Sequence, residues 1–263
     1  MNGHRFFAAL LCLGALSACG EPAITDITEA PAHNSRIKFF HFGPSAPGVN
    51  FYANDTKMSA IVSTTGTEST TGTAYSGVSA GGAYSVIAPG QYTLTGRIAA
   101  TTDKDLVIAS VPATIGDGAF YSFYVSGIYN STTKTSDAFI VVDPVVPPTD
   151  FTVATVRFVH AISNANPMTL YARDTLTRAT GPDIAVGGEV AYKNAGVFTS
   201  IPAGVYDLST RYAGAATNAM TRTSVTFAGG RVYTITARGD ITVAPTSACL
   251  AANRTCLDLT ANR

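Results

Sequence analysis

Short apolar runs alternate with polar breaks marked by glycine, proline, asparagine and aspartate, and the apolar positions recur with a period of two. This pattern predicts strands in the first half at 36–42, 49–53, 84–88, 91–98, 105–111, 119–127 and 137–142. In the second half it predicts them at 154–160, 168–173, 197–201, 205–212, 220–227 and 231–238. Each run is rich in Val, Ile, Phe, Tyr or Thr, residues that fit a pleated, half-buried surface. No segment beyond residue 18 carries a 3.6-residue apolar period. Short strands in this number, set apart by turn residues, predict an all-β fold of two tandem antiparallel β-sandwich domains, immunoglobulin- or transthyretin-like. Residues Ser63 to Ser79 are rich in Ser, Thr and Gly and read as a long mobile loop.

The two halves are copies of each other. Arg36-Ile-Lys-Phe-Phe-His41 aligns with Thr155-Val-Arg-Phe-Val-His160, and Phe51-Tyr-Ala-Asn-Asp-Thr56 aligns with Leu170-Tyr-Ala-Arg-Asp-Thr175, both 119 positions on. Ile87-Ala-Pro-Gly-Gln-Tyr-Thr-Leu94 then matches Ile201-Pro-Ala-Gly-Val-Tyr-Asp-Leu208, and Tyr121 to Gly127 matches Tyr233 to Gly239. The spacing shrinks because the first copy has longer loops. Self-similarity over so long a stretch indicates duplicated domains rather than a solenoid of short units. The predicted boundaries are 35–142 and 151–245, joined by the proline-rich linker 143–150 and followed by a tail, 246–263. Three prolines make the linker a semi-rigid spacer, expected to separate two independently folding copies.

The amino terminus carries Arg5, an apolar run from Phe6 to Leu16, and small residues before Cys19, which is the layout of a secretory signal peptide over 1–18. The run is about half the ~20 residues that a membrane span requires. Leu16-Ser17-Ala18-Cys19 resembles the bacterial lipobox. That resemblance implies that Cys19 is the lipidated first residue of the mature chain, followed by a tether over 19–34. By resemblance to the sorting rules of well-studied diderm bacteria, Gly20 in place of Asp after the cysteine implies a location in the cell envelope, at the outer membrane. In that oxidising setting Cys249 and Cys256 are expected to form a local disulfide within the tail.

Lys plus Arg and Asp plus Glu are 17 each, so the formal net charge is zero, and charged residues are only 13% of the chain. That balance excludes the basic footprint of a nucleic-acid binder. The expected partners are the membrane, reached through the lipid, and an envelope protein or polysaccharide.

His41-Phe-Gly-Pro-Ser-Ala-Pro-Gly-Val-Asn-Phe-Tyr52 and the weaker His160-Ala-Ile-Ser-Asn-Ala-Asn-Pro-Met-Thr-Leu-Tyr171 resemble the opening motif of the envelope family called domain of unknown function 4397. Pro89-Gly90-Gln91-Tyr92 and Pro202-Ala-Gly-Val-Tyr206 resemble its later turn. The resemblance implies a secreted or surface β-sandwich and no reaction. The acidic positions of the family motif are Ser45 and Asn50 in the first copy, Asn164 and Thr169 in the second, which weakens any acid or metal chemistry.

Candidate ligand-binding residues are Tyr52, Tyr171, His41 and His160. Residues two apart share a strand face, so His41 lies with Ile37 and Phe39, and His160 with Val156 and Phe158. Each therefore reads as a hydrogen-bonded residue closing an apolar row, the alternative being a ligand or pH-sensing group. Tyr52 and Tyr171 fall opposite the apolar faces and read as outward aromatics able to stack on a sugar or a partner. Tyr92 and Tyr206 each follow a turn glycine, expected at positive φ, and read as hydroxyl anchors of the turn. Gly77-Val-Ser79-Ala-Gly81 spells a nucleophile-elbow pattern without the helix such an elbow needs. No zincin or phosphate-loop motif occurs. No catalytic residue, metal or cofactor is therefore assigned. The expected role is non-catalytic binding, adhesion or structural support. The alternative is carbohydrate or peptide recognition through the tyrosines, with an unrecognised enzyme as a third possibility.

Overall fold

The computed structural model describes residues 34–59, 66–144, 148–176, 181–243 and 255–262. Cys19, the signal and tether segments up to His33, and Cys249 lie outside them. The first copy contains β1 (Ser35–His41), β2 (Val49–Ala53), β3 (Thr56–Lys57), β4 (Ser85–Ile87), β5 (Gly90–Ile98), β6 (Val107–Ile115), β7 (Phe120–Asn130) and β8 (Thr135–Val142). The second contains β9 (Val153–His160), β10 (Met168–Asp174), β11 (Ile184–Val190), β12 (Thr199–Pro202), β13 (Gly204–Tyr212), β14 (Met220–Phe227), β15 (Val232–Arg238) and β16 (Cys256–Ala261).

Among the described residues these strands form four sheets, with the same topology in each copy. The sheets β4-β1-β7-β8 and β3-β2-β5-β6 make one sandwich, and β12-β9-β15-β16 and β11-β10-β13-β14 make the other. The fold is all-β, as the pattern predicts. Pairing is antiparallel except for β1 with β7 and β9 with β15, which run parallel. In each case all four strands of the other sheet, and one edge strand of the same sheet, lie between the parallel neighbours in sequence, so the connection is the long crossover that parallel pairing requires.

Residues 256–261, expected as part of a tail, form β16. It pairs antiparallel with β15 from Tyr233 to Arg238 and completes the second copy as β8 completes the first. The sequence also hides β11, because Gly187 and Gly188 interrupt its pattern and Gly187 sits at φ 73°. Its Val186 and Val190 nevertheless face the core. The described part of the expected mobile loop is laced to the sheets. Thr73 and Val49 exchange backbone hydrogen bonds of 3.0 and 2.8 Å, and His41 bonds through its N–H to Gly77 and through its carbonyl to Ser76.

One of the two turn glycines differs from expectation. Gly90 has φ 153°, whereas Gly204 is not in the positive region. What the two share is a tyrosine ring lying over them. A Cβ would meet Cε2 of Tyr92 at 3.5 Å and of Tyr206 at 3.3 Å. The tyrosines do anchor these turns, since their hydroxyls donate to the carbonyls of Ala88 (3.0 Å) and Pro202 (2.8 Å).

Strand parity explains how the sandwiches stack. In β1, Ile37 and Phe39 enter the first sandwich core with Phe51, Leu94 and Phe123. Val156 and Phe158 of β9 enter the second core with Leu170, Leu208 and Ile235. The alternate residues of the same strands are buried too. Phe40, Phe42, Tyr124, Phe139 and Val141 of the first copy form a third cluster with Val159 and Ala161 of the second. Burial of each large apolar side chain is worth about 1.5–3 kcal/mol. The layers therefore follow the order outer, inner, inner, outer, and Asn34–Arg263 is one compact unit. The inner sheets are buried on both faces, which is why β1, β7, β9 and β15 read as nearly continuous apolar runs.

Candidate binding surface

The two histidines are enclosed. His41 is fully buried and its Nε2 lies 2.9 Å from the carbonyl of Pro47. That contact puts the proton on Nε2, because a carbonyl oxygen only accepts. Burial lowers its pKa to about 4 against a smaller opposing effect of the Pro47 bond. His160 repeats the geometry, with Nε2 3.1 Å from the Asn166 carbonyl and Nδ1 accepting from the Ile162 N–H at 3.2 Å. Its pKa is also lowered, by burial first, with the backbone hydrogen bonds opposing. Both imidazoles therefore pin the loop that follows their strand.

Tyr52 and Tyr171 lie on the outer faces of the two outer sheets, pointing away from the sandwich cores. Their rings are covered by arginine. The Arg97 guanidinium lies 4.2 Å from the Tyr52 ring centroid and that of Arg211 lies 4.6 Å from the Tyr171 centroid, both within cation–π range. Tyr52 is only 6% exposed, and its hydroxyl donates to Asp105 at 2.9 Å. Burial first, and then the Asp105 bond, push its pKa up. Arg97 is held by the Asn54 carbonyl at 2.8 Å, Thr95 at 3.1 Å and Asp55 at 3.3 Å. In the second copy Asp183 joins two arginines: Arg173 donates to it at 2.6 Å, and Arg211 donates to its other oxygen. The hydrogen bond from Arg173 leads the causes that lower the Asp183 pKa. Beside this cluster lies an open recess of about 300 Å³ lined by Asp183, Asp207, Ser209, Arg211 and Asn218. Asn54, Asp55, Thr95, Arg97 and Ser110 line the corresponding recess of the first copy.

The sequence reading found the tyrosines and missed their arginines. A signal was present, because Arg97 follows Tyr92 by five positions and Arg211 follows Tyr206 by five. Cross-strand register then places Arg97 opposite Asn50 and Arg211 opposite Thr169, each two residues from its tyrosine. The four candidate residues do not converge on one site. The histidines are internal, and the tyrosines belong to different sheets at opposite ends of the layer order.

Ser79 of the elbow-like pattern opens a short 3₁₀ turn, Ser79–Gly82, which leads into β4 rather than an α-helix. Cys256 is buried at the start of β16. Among the described residues no group of three His, Cys, Asp or Glu is placed to hold a metal ion. No helix among them is long and apolar enough to cross a membrane.

These features define a tandem β-sandwich protein with a duplicated tyrosine–arginine outer face. The chain belongs to the family described as domain of unknown function DUF4397, whose model matches residues 35–171 and 154–255. No curated protein sequence matches it significantly. Solved structures with similarity include the Bacillus anthracis TIE protein, at 12% identity and TM-score 0.23, covering 77% of this chain and 33% of that one. A family 26 carbohydrate-binding module of Eubacterium rectale Amy13K, solved with maltoheptaose, aligns at 10% identity and TM-score 0.21, covering 81% of this chain and 99% of that one. A candidate cell-adhesion protein of Bacteroides ovatus aligns at 12% identity and TM-score 0.20, covering 89% and 97%. This chain spans about a third of the first of these. TM-scores near 0.2 carry no functional argument.

Proposed function

We propose that the protein is a lipid-anchored component of the bacterial envelope with a non-catalytic role in binding, adhesion or structural support. The observation that supports this reading is where the reactive groups go. Both histidines are buried with depressed pKa values, and each donates its Nε2–H to a loop carbonyl. Among the described residues, the outer sheets repeat an arginine-covered tyrosine in both copies. The anchor is Cys19, by its lipobox. Metabolic labelling with a fatty-acid analogue tests it: wild type should incorporate label and sediment with membranes, and Cys19→Ser should do neither. Unlabelled, soluble wild-type protein would sink the reading.

A second reading, recognition of a polysaccharide or peptide, is favoured by the repeated recess alone. Ring faces already occupied by Arg97 and Arg211 suit hydrogen bonding to an anionic or hydroxyl-rich chain better than open stacking. Under this reading Arg211→Ala lowers affinity for an acidic polysaccharide in a glycan screen. Equal retention of wild type and variant across the screen would remove it.

A further inference from the structure

The face between the two copies is self-complementary. Lys38 and Arg157 occupy the same place in β1 and β9, 119 positions apart, and both point out of their own sandwich. Lys38 donates to the carbonyl of Ala261 at 2.6 Å, in the last strand of the second copy. Arg157 donates to the carbonyl of Val142 at 2.8 Å, in the last strand of the first. Val142 and Ala261 are themselves counterparts, since each pairs with the equivalent tyrosine, Tyr121 or Tyr233. The next residues match as well: Asp143 accepts from Ser122 at 2.7 Å, and Asn262 donates to Thr234 at 2.7 Å.

The exchange extends outward from there. Tyr75 and Tyr192 hold equivalent positions beside the histidines, because Ser76 N–H bonds to the His41 carbonyl and Lys193 N–H to that of His160. Tyr192 reaches Ser126 of the first copy at 2.9 Å. Tyr75 lies 5.0 Å from the guanidinium of Arg238, the counterpart of Ser126 in the second. Tyr124 and its counterpart Thr236 are both fully buried on this face. Reciprocal contacts of i with j and j with i are the signature of an isologous dimer interface.

We propose that the two repeats are a fused homodimer: the inner face of each is a docking surface whose partner is the inner face of the other copy. The fold is then one cooperative unit. The proline-rich segment keeps the two partners at high local concentration rather than holding two free domains apart.

Cutting the linker of the whole protein tests this. Val145–Pro147 of the full chain is replaced with a specific protease sequence, and the folded protein is cleaved and passed over a sizing column at micromolar concentration. The expected result is a single species containing both fragments, with an unfolding midpoint that rises with protein concentration. Fragments that separate overturn the proposal, whether or not they stay folded. In the uncut chain, hydrogen exchange should show β1 and β9 losing protection at one denaturant concentration. Loss in two distinct stages overturns it as well.

Discussion

Lys38 and Arg157 share one position in two copies of a fold, yet their surroundings differ. Arg157 forms a buried ion pair with Asp143, and its Nε donates to Thr234 at 3.1 Å. Asp143 also accepts from Tyr84 and Ser122, each at 2.7 Å. Lys38 donates to the neutral Ala261 carbonyl and lies 4.4 Å from the Tyr84 ring. The difference traces to one residue, Asn262, which stands where the first copy has Asp143. A symmetric ancestor would bury two cations with two anions or with none. At this pair of positions the chain buries two cations around one carboxylate. Burial lowers the Lys38 pKa to about 8; Asp143 opposes the shift and Arg157 adds to it. The shared position keeps its geometry in both copies, and only the Arg157 side of it has a carboxylate in direct contact.

The largest effect should follow from removing that carboxylate. Asp143→Asn leaves the Arg157 charge buried without compensation, and breaking such a pair costs about 3–5 kcal/mol. Urea unfolding at neutral pH should show it, and a loss under about 1 kcal/mol would mean that water or Tyr84 takes over. The reverse swap, Asn262→Asp, sharpens the comparison by giving Lys38 its own anion. In wild type the folded Lys38 pKa lies below the unfolded value. Below pH 8 both states carry the proton and the full cost of burying the ammonium is present. Stability therefore rises as pH climbs from about 8 toward the ordinary lysine value. Asn262→Asp should flatten that rise, as should Lys38→Met.

The histidine pair comes next. His41 is neutral when folded, with a pKa of about 4 against an unfolded value near 6.5. The unfolded chain binds the proton first, so the contribution of His41 is complete above pH 6.5 and is lost as pH falls toward 4. The loss amounts to about 3 kcal/mol. His160 acts in the same direction, its backbone bonds opposing the burial shift. Acid titration of stability should therefore be shallower in His41→Gln and in His160→Gln than in wild type, from a lower starting stability at neutral pH. A Gln variant that tracks the wild-type acid slope would assign the acid loss to other groups.

How much of this was legible in the sequence depended on whether a residue answers to its own strand or to a distant one. The duplication, the all-β class and the inward row of Ile37, Phe39 and His41 are local, and a period of two reveals them. The turn tyrosines were legible because both donor and acceptor sit within four residues. β16 was hidden because its pairing partner, β15, lies across a poorly patterned stretch. The clue was that the strand at 137–142 had no counterpart in the second copy. The packing of Phe40 and Tyr124 against Val159 was illegible for a different reason. A strand buried on both faces loses the alternation that shows which side is inside. The stacking of Arg97 on Tyr52 needed cross-strand register, which residue spacing alone does not give.

The turn tyrosines offer the smallest effect and the cleanest separation of bond from burial. Tyr92 and Tyr206 make the same hydrogen bond to a carbonyl four residues back, at 3.0 and 2.8 Å. Tyr206 is 1% exposed, with its ring 5.8 Å from Phe227 in the second core, whereas the Tyr92 bond is open to solvent. Replacing either with Phe keeps the ring and deletes the hydroxyl. At the open site water takes over the Ala88 carbonyl, so Tyr92→Phe should change stability by less than about 0.5 kcal/mol. At the enclosed site the Pro202 carbonyl loses its partner where water reaches it less well, and Tyr206→Phe should cost about 1 kcal/mol. Paired denaturation curves at neutral pH measure both. Equal losses would show that the turn is held by the bond itself, and that the deeper seating of the second tyrosine adds nothing to it.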